Sequence, residues 1–99
     1  MKGTILITGA SRGIGAAVAR HFLEQGWQVG LFARSAEDLR AVAGRAPGAH
    51  VLPGDVTDAD ALAAAVARLA AQAGRLDVLF NNAGIFTPPA PPDEVPLAD

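Results

Sequence analysis

Three glycines in Thr8-Gly9-Ala10-Ser11-Arg12-Gly13-Ile14-Gly15 stand at the spacing G-x-x-x-G-x-G, and that spacing suits a phosphate. Gly9 permits a tight turn off a strand. Gly13 leaves room for a pyrophosphate because it carries no Cβ. Gly15 lets a following helix pack closely. A helix that begins there presents free N–H groups and the positive end of its dipole to an anion. The spacing departs from the common dinucleotide fingerprint G-x-G-x-x-G. A bare strand-to-helix turn would use the same glycines, so this segment alone leaves both readings open.

A second group lies some twenty residues on. Where a dinucleotide carries a free ribose 2′-hydroxyl, an acid about 20 residues past the glycines binds it. Here Phe32-Ala33-Arg34-Ser35 offers no carboxylate. Arg34 stands where a 2′-phosphate would lie, and Arg12 in the glycine loop can reach the same group. The guanidinium fork matches phosphate geometry. The expectation is therefore NADP(H) in preference to NAD(H), with Arg34 and Ser35 at its adenosine end. The alternative is a pair of solvated loop arginines. Glu37 and Asp38 are the nearest acids, and a helix first turn already accounts for them.

Two later loops carry further candidates. In Gly54-Asp55-Val56-Thr57 the Asp55 carboxylate can accept a hydrogen bond from an adenine amino group, or serve as a turn aspartate. Asn81-Asn82-Ala83-Gly84 follows a strand, at the edge where ligands of an open α/β sheet lie. Its asparagines can tie neighbouring loops, and Ala83-Gly84 keeps the wall thin enough for a ribose; a plain turn is the alternative. His21 and His50 have no catalytic partner nearby. Trp27 reads as packing at a strand start, and Asp77 as structural.

Lys2 to Thr8 reads as a buried strand, with Ile5, Leu6 and Ile7 continuous as in a parallel sheet. Ile14 to Gln25 reads as a helix with Ile14, Ala17, Val18 and Phe22 on one face and Gly26 as its stop. Trp27 to Ala33 is a second strand. Ser35 caps a helix that buries Leu39 and Val42 and ends by Gly44. Ala49 to Leu52 is a third strand. Thr57 is the expected cap of a third helix with Leu62, Val66 and Leu69 as its stripe. Leu76 to Phe80 is a fourth strand. This β-α-β-α-β-α-β order predicts an α/β fold, a doubly wound parallel sheet with right-handed crossovers. Residues 1–86 form the expected cofactor-binding unit. Residues 87–99, with Pro88, Pro89, Pro91, Pro92 and Pro96, read as a loop or tail.

Composition narrows the function. The chain has 99 residues, 51% of them hydrophobic, and a formal net charge of −2. That length allows one small domain, and the apolar content excludes intrinsic disorder. The charge balance gives no electrostatic case for nucleic acid or an anionic membrane. There is no cysteine, hence no disulfide framework and no thiolate chemistry. The longest apolar run, Ala61 to Ala67, is far shorter than the roughly 20 residues of a membrane span. The expected setting is cytoplasmic.

Taken together, the glycine loop, Asp55-Val56-Thr57, and Leu76-Asp77-Val78-Leu79-Phe80-Asn81-Asn82-Ala83-Gly84-Ile85 resemble the short-chain dehydrogenase/reductase family. The resemblance covers nearly the whole chain. It implies a Rossmann fold, strand order 3-2-1-4, and an NAD(P)(H)-dependent oxidoreductase acting on carbonyl and alcohol groups. By the family pattern Gly9, Ala10, Ser11, Arg12, Gly13, Ile14 and Gly15 hold the phosphates and ribose. Asp55 and Val56 meet the adenine, Asn82, Ala83 and Gly84 line the central sheet and ribose, and Arg34 matches the basic residue of NADP-preferring members.

The chain departs from the family beyond that point. Members are much longer and carry, past the Asn-Asn-Ala-Gly loop, a serine and a Tyr-x-x-x-Lys pair that moves the proton. This sequence has no tyrosine, and Lys2 is its only lysine. The expectation is an N-terminal cofactor-binding part that is inactive alone. The alternatives are a dinucleotide-binding module without catalysis, or a piece that folds incompletely. With strand four left at an open edge, the isolated chain is also expected to self-associate.

Overall fold

The computed structural model describes residues 3–82. Four parallel strands alternate with three helices: β1 (Thr4–Thr8), α1 (Gly13–Glu24), β2 (Gln28–Ala33), α2 (Ala36–Ala43), β3 (Ala49–Pro53), α3 (Ala59–Ala73) and β4 (Val78–Phe80). The strand order is β3-β2-β1-β4, the expected 3-2-1-4 arrangement of a Rossmann sheet. The order reverses beside β1, which pairs with β2 on one side and β4 on the other. That reversal opens a crevice at the carboxyl end of β1, where the glycine loop lies.

Alternation along β1 divides the core. Ile5 and Ile7 face the layer of α1 and α2, packing with Ala16, Ala19, Leu39 and Val42. Leu6 faces α3 and packs with Phe32, Leu52, Ala65 and Leu69. All five residues of β1 are buried, as a central strand covered on both faces requires. The opposite rim of the sheet is tied by polar groups. Asp77 accepts the Thr4 N–H at 2.8 Å and holds Arg75 through an Nη2–Oδ1 contact of 2.7 Å. His50 is bracketed by Gln28 at 2.7 Å and Gln72 at 3.1 Å. Trp27 packs edge-on against Phe22, with centroids 4.9 Å apart. These residues are structural and stand away from the crevice.

Several local expectations are corrected. The inward face of α1 is Gly15, Ala16 and Ala19, whereas Ile14 is 69% exposed and Ala17 is also exposed. Small residues face the sheet because α1 lies close to it, and the larger apolar side chains Val18 and Phe22 pack at the flank. The cap of α3 is Asp58, whose side chain accepts from the N–H groups of Asp60 and Ala61. Thr57 does not cap it because its hydroxyl is bonded to Asp55. The second strand begins at Gln28 rather than Trp27, and the fourth at Val78 rather than Leu76. Ser35 does cap α2, accepting from the Asp38 N–H at 3.2 Å. The proline-rich stretch, and so the boundary at residue 86, lies outside the described residues.

Candidate functional site

Every loop singled out for its chemistry leaves the same end of the sheet. β1 delivers the glycine loop, β2 delivers Arg34 and Ser35, β3 delivers Asp55 and Val56, and β4 delivers Asn81 and Asn82. Between the first three lies a cleft of about 510 Å³, lined by Gly9, Ser11, Arg12, Phe32, Ala33, Arg34, Ser35, Asp38, Gly54, Asp55, Val56 and Thr57. Its volume falls within the range of small-molecule and cofactor sites.

The glycines divide the work. Gly9 and Gly13 have φ of 63° and 61°, a region that side chains with a Cβ rarely occupy. At Gly13 nothing comes within 4 Å of where a Cβ would stand, so the backbone there is open to an incoming group. At Gly15 the situation is reversed. A Cβ would run into the Gly9 carbonyl and lie 2.8 Å from Asn82 Nδ2. Gly15 is what lets α1 start so near β1.

The start of α1 is open to an anion. Arg12 occupies the N-cap position in extended conformation, its side chain makes no capping bond, and the first turn holds no acid. The leading N–H groups therefore lack a side-chain acceptor, and the dipole there favours negative charge. Arg34, which lines the same cleft, adds positive charge just beyond the end of β2. Asp55 is held below the usual carboxylate pKa, chiefly by the Thr57 N–H, then by the Thr57 hydroxyl, with attraction to Arg34 as a smaller cause. The cleft is thus lined by cationic groups and by an ionised acceptor. An uncapped helix start, an open glycine backbone and two guanidiniums form a donor set that fits the phosphates of a dinucleotide.

On the far side of the glycine loop, Thr8 joins β1 to the loop after β4. Its hydroxyl donates to Asn81 Oδ1 at 3.0 Å and accepts the Asn82 N–H at 2.8 Å. Asn82 Nδ2 also donates to the Gly9 carbonyl at 3.4 Å. Thr8 is fully buried, so these bonds work in a protected setting.

The cleft brings together Gly9, Ser11, Arg12, Arg34, Ser35, Asp55 and Val56. Gly13, Ile14 and Gly15 lie beside it at the start of α1, and Asn82 buttresses the loop from behind. Ala10 is fully buried, and its N–H donates to the Phe32 carbonyl at 3.3 Å, so it supports the loop from within the core. Ala83 and Gly84 lie outside the described residues. Phe32, Ala33, Asp38, Gly54 and Thr57 line the cleft without having been singled out for it. Thr57 carried a signal, since Asp-x-Thr is a side-chain-to-backbone turn pattern. Phe32 carried none, because strand residues declare their neighbours only once the sheet forms. Among the described residues no group of three or more His, Asp or Glu is placed to hold a metal, and no helix is long and apolar enough to cross a membrane.

Comparison with known proteins accords with this geometry. The family model described as short chain dehydrogenase matches residues 3–99. Serine 3-dehydrogenase of Agrobacterium fabrum is 45% identical over 100 residues, covering all of this chain and 40% of that protein. The crystal structure of a β-ketoacyl-[ACP] reductase from Bacteroides thetaiotaomicron superposes with a TM-score of 0.77 at 34% identity, covering 87% of this chain and 42% of that one. A metagenomic short-chain oxidoreductase in complex with NADP superposes with a TM-score of 0.75 at 44% identity, covering 84% and 39%. The chain spans about 40% of the length of curated relatives that it matches over its whole length.

Proposed function

The chain belongs to the short chain dehydrogenase family, and from that premise we propose that it is the cofactor-binding part of an NADP(H)-dependent oxidoreductase acting on carbonyl and alcohol groups. The observation that carries this reading is the cleft itself, where the glycine loop, Arg12, Arg34 and Asp55 converge at the carboxyl ends of β1, β2 and β3, beside the switch point of the sheet. The metagenomic relative's complex with NADP supports the choice of cofactor class.

In this reading the N–H groups at the start of α1 and the open backbone at Gly13 receive the pyrophosphate. Arg34, Ser35 and Arg12 receive the 2′-phosphate, and Asp55 and Val56 meet the adenine. Asn82, held by Thr8, fixes the glycine loop next to the ribose that carries the nicotinamide. The nicotinamide, when bound, supplies the hydride chemistry. The family's Tyr-x-x-x-Lys proton-transfer pair is not in this sequence, so the 99-residue chain binds cofactor and does not turn over substrate. Val78 and Leu79, 41% and 48% exposed on β4, are the surface through which the isolated chain self-associates, a step that light scattering at tens of micromolar would detect.

The test is a fluorescence titration of the chain with NADPH and NADH, repeated on Arg34→Asp. Saturable binding that favours NADPH is expected, with the preference inverted in the variant. Losing a charge-assisted phosphate contact costs about 1.5–3 kcal/mol, or roughly 10- to 150-fold in affinity. An NADPH preference that survives Arg34→Asp would remove Arg34 from the site.

A further inference from the structure

Thr57 lies two residues beyond Asp55 on the wall of the cleft, and both of its donors go to one oxygen. Its backbone N–H reaches Asp55 Oδ1 at 2.9 Å and its hydroxyl reaches the same atom at 2.8 Å. Oδ2 receives no hydrogen bond from any described residue. The ordinary reason for a threonine just before a helix is capping. Here that reason is absent, because Asp58 supplies the α3 cap. The hydroxyl therefore serves the carboxylate. A carboxylate pinned twice through one oxygen cannot rotate freely, and it presents the other oxygen as a fixed acceptor.

Resting on the reading that Asp55 meets the adenine, we propose that Thr57 is a positioning residue that sets the base specificity of the cleft, locking Asp55 so that Oδ2 accepts the exocyclic amino group. A base with an oxo group at that place would set acceptor against acceptor, and the cleft would reject it. Thr57 touches no cofactor atom in this role; it acts through Asp55.

The test is calorimetric titration of the full chain with NADP+ and with nicotinamide hypoxanthine dinucleotide phosphate, in which an oxo group replaces the amino group. The wild-type chain is expected to favour the adenine ligand by about tenfold or more, the scale of a hydrogen bond to a charged group. Thr57→Val keeps the shape and the backbone N–H but loses the hydroxyl, and should reduce that preference to about threefold or less. Thr57→Ser should restore it. A merely structural role would weaken both ligands equally and leave their ratio unchanged. Circular dichroism checks that the valine variant folds, and Thr57→Ala carries the same comparison where it does not. A folded valine or alanine variant with the wild-type ratio overturns the role of Thr57 and leaves the cofactor reading standing. A wild-type chain that binds NADP+ without preferring adenine removes the base from Asp55 and overturns the proposal with it. A wild-type chain that binds neither ligand overturns both.

Discussion

The starts of α1 and α3 are built in opposite ways. At α3, Asp58 closes two leading N–H groups with its own carboxylate, and Asp60 adds negative charge to the first turn. At α1, Arg12 stands at the cap without a capping bond, and no acid follows. One helix satisfies its N-terminus internally, and the other leaves it to be satisfied from outside. Both face the same end of the sheet, so strand direction does not explain the contrast. The difference is that α1 follows the switch-point strand and α3 follows an edge strand. An open helix start is useful only where a crevice lies in front of it, and elsewhere a cap stabilises the helix by about 1 kcal/mol.

The largest effect that would test this contrast is at Gly15. Gly15→Ala drives a methyl into the Gly9 carbonyl, and the strain should cost about 3 kcal/mol of stability, read by urea denaturation. A variant of unchanged stability would mean that α1 does not pack as closely as described. Next is Asp58→Ala, which should cost about 1 kcal/mol while changing dinucleotide affinity less than twofold. Arg12→Ser is the reciprocal change. It supplies the missing cap and should raise stability by about 0.5 kcal/mol, yet it should weaken NADPH binding. Opposite signs for stability and binding at α1, with stability alone affected at α3, would sharpen the comparison; parallel behaviour would break it. The smallest effect is the pH dependence on the approach to α3. Asp55 has a folded-state pKa below its ordinary 3.8, so its contribution is fully present above that value. It is lost as pH falls through the lower folded value. Thermal unfolding between pH 5 and 2 should therefore show a slightly shallower loss of stability in Asp55→Asn than in wild type.

Much of the architecture was legible because its signals are local. The glycine loop, the Ser35 cap and the continuous Ile5-Leu6-Ile7 run each act within a few residues, and each marks an element that the structure contains. The alternation of strands and helices then leaves few topologies, since parallel crossovers are right-handed. The family resemblance supplied the strand order, and the pairing of β1 with both β2 and β4 agrees with it. The candidate site was legible for the same reason, because its residues lie on loops that directly follow strands. The features that are not legible in the sequence depend on distant neighbours. Periodicity alone puts Ile14, Ala17, Val18 and Phe22 on one face of α1; Val18 and Phe22 do pack against the core, while Ile14 and Ala17 are exposed. The contact with Gly9 reserves one position for Gly15, and Ala16 and Ala19 are the other buried residues of the helix. Thr57 and Asp58 both suit a cap, and the hydrogen bond to Asp55 decided between them.

By itself, then, the sequence determined the order of elements, where they turn, and which loops carry the glycines, arginines and carboxylate of the candidate site. These follow from backbone preferences and short-range hydrogen bonds, which a chain carries with it before it folds. Only the tertiary structure decided that Phe32, Asp38 and Thr57 line one cleft with Arg12 and Arg34, and that Thr8 ties the loop after β4 to the glycine loop. Those meetings join residues up to 74 positions apart. They arise from sheet pairing and helix packing, where the energy of a contact depends on everything else that has already been brought alongside.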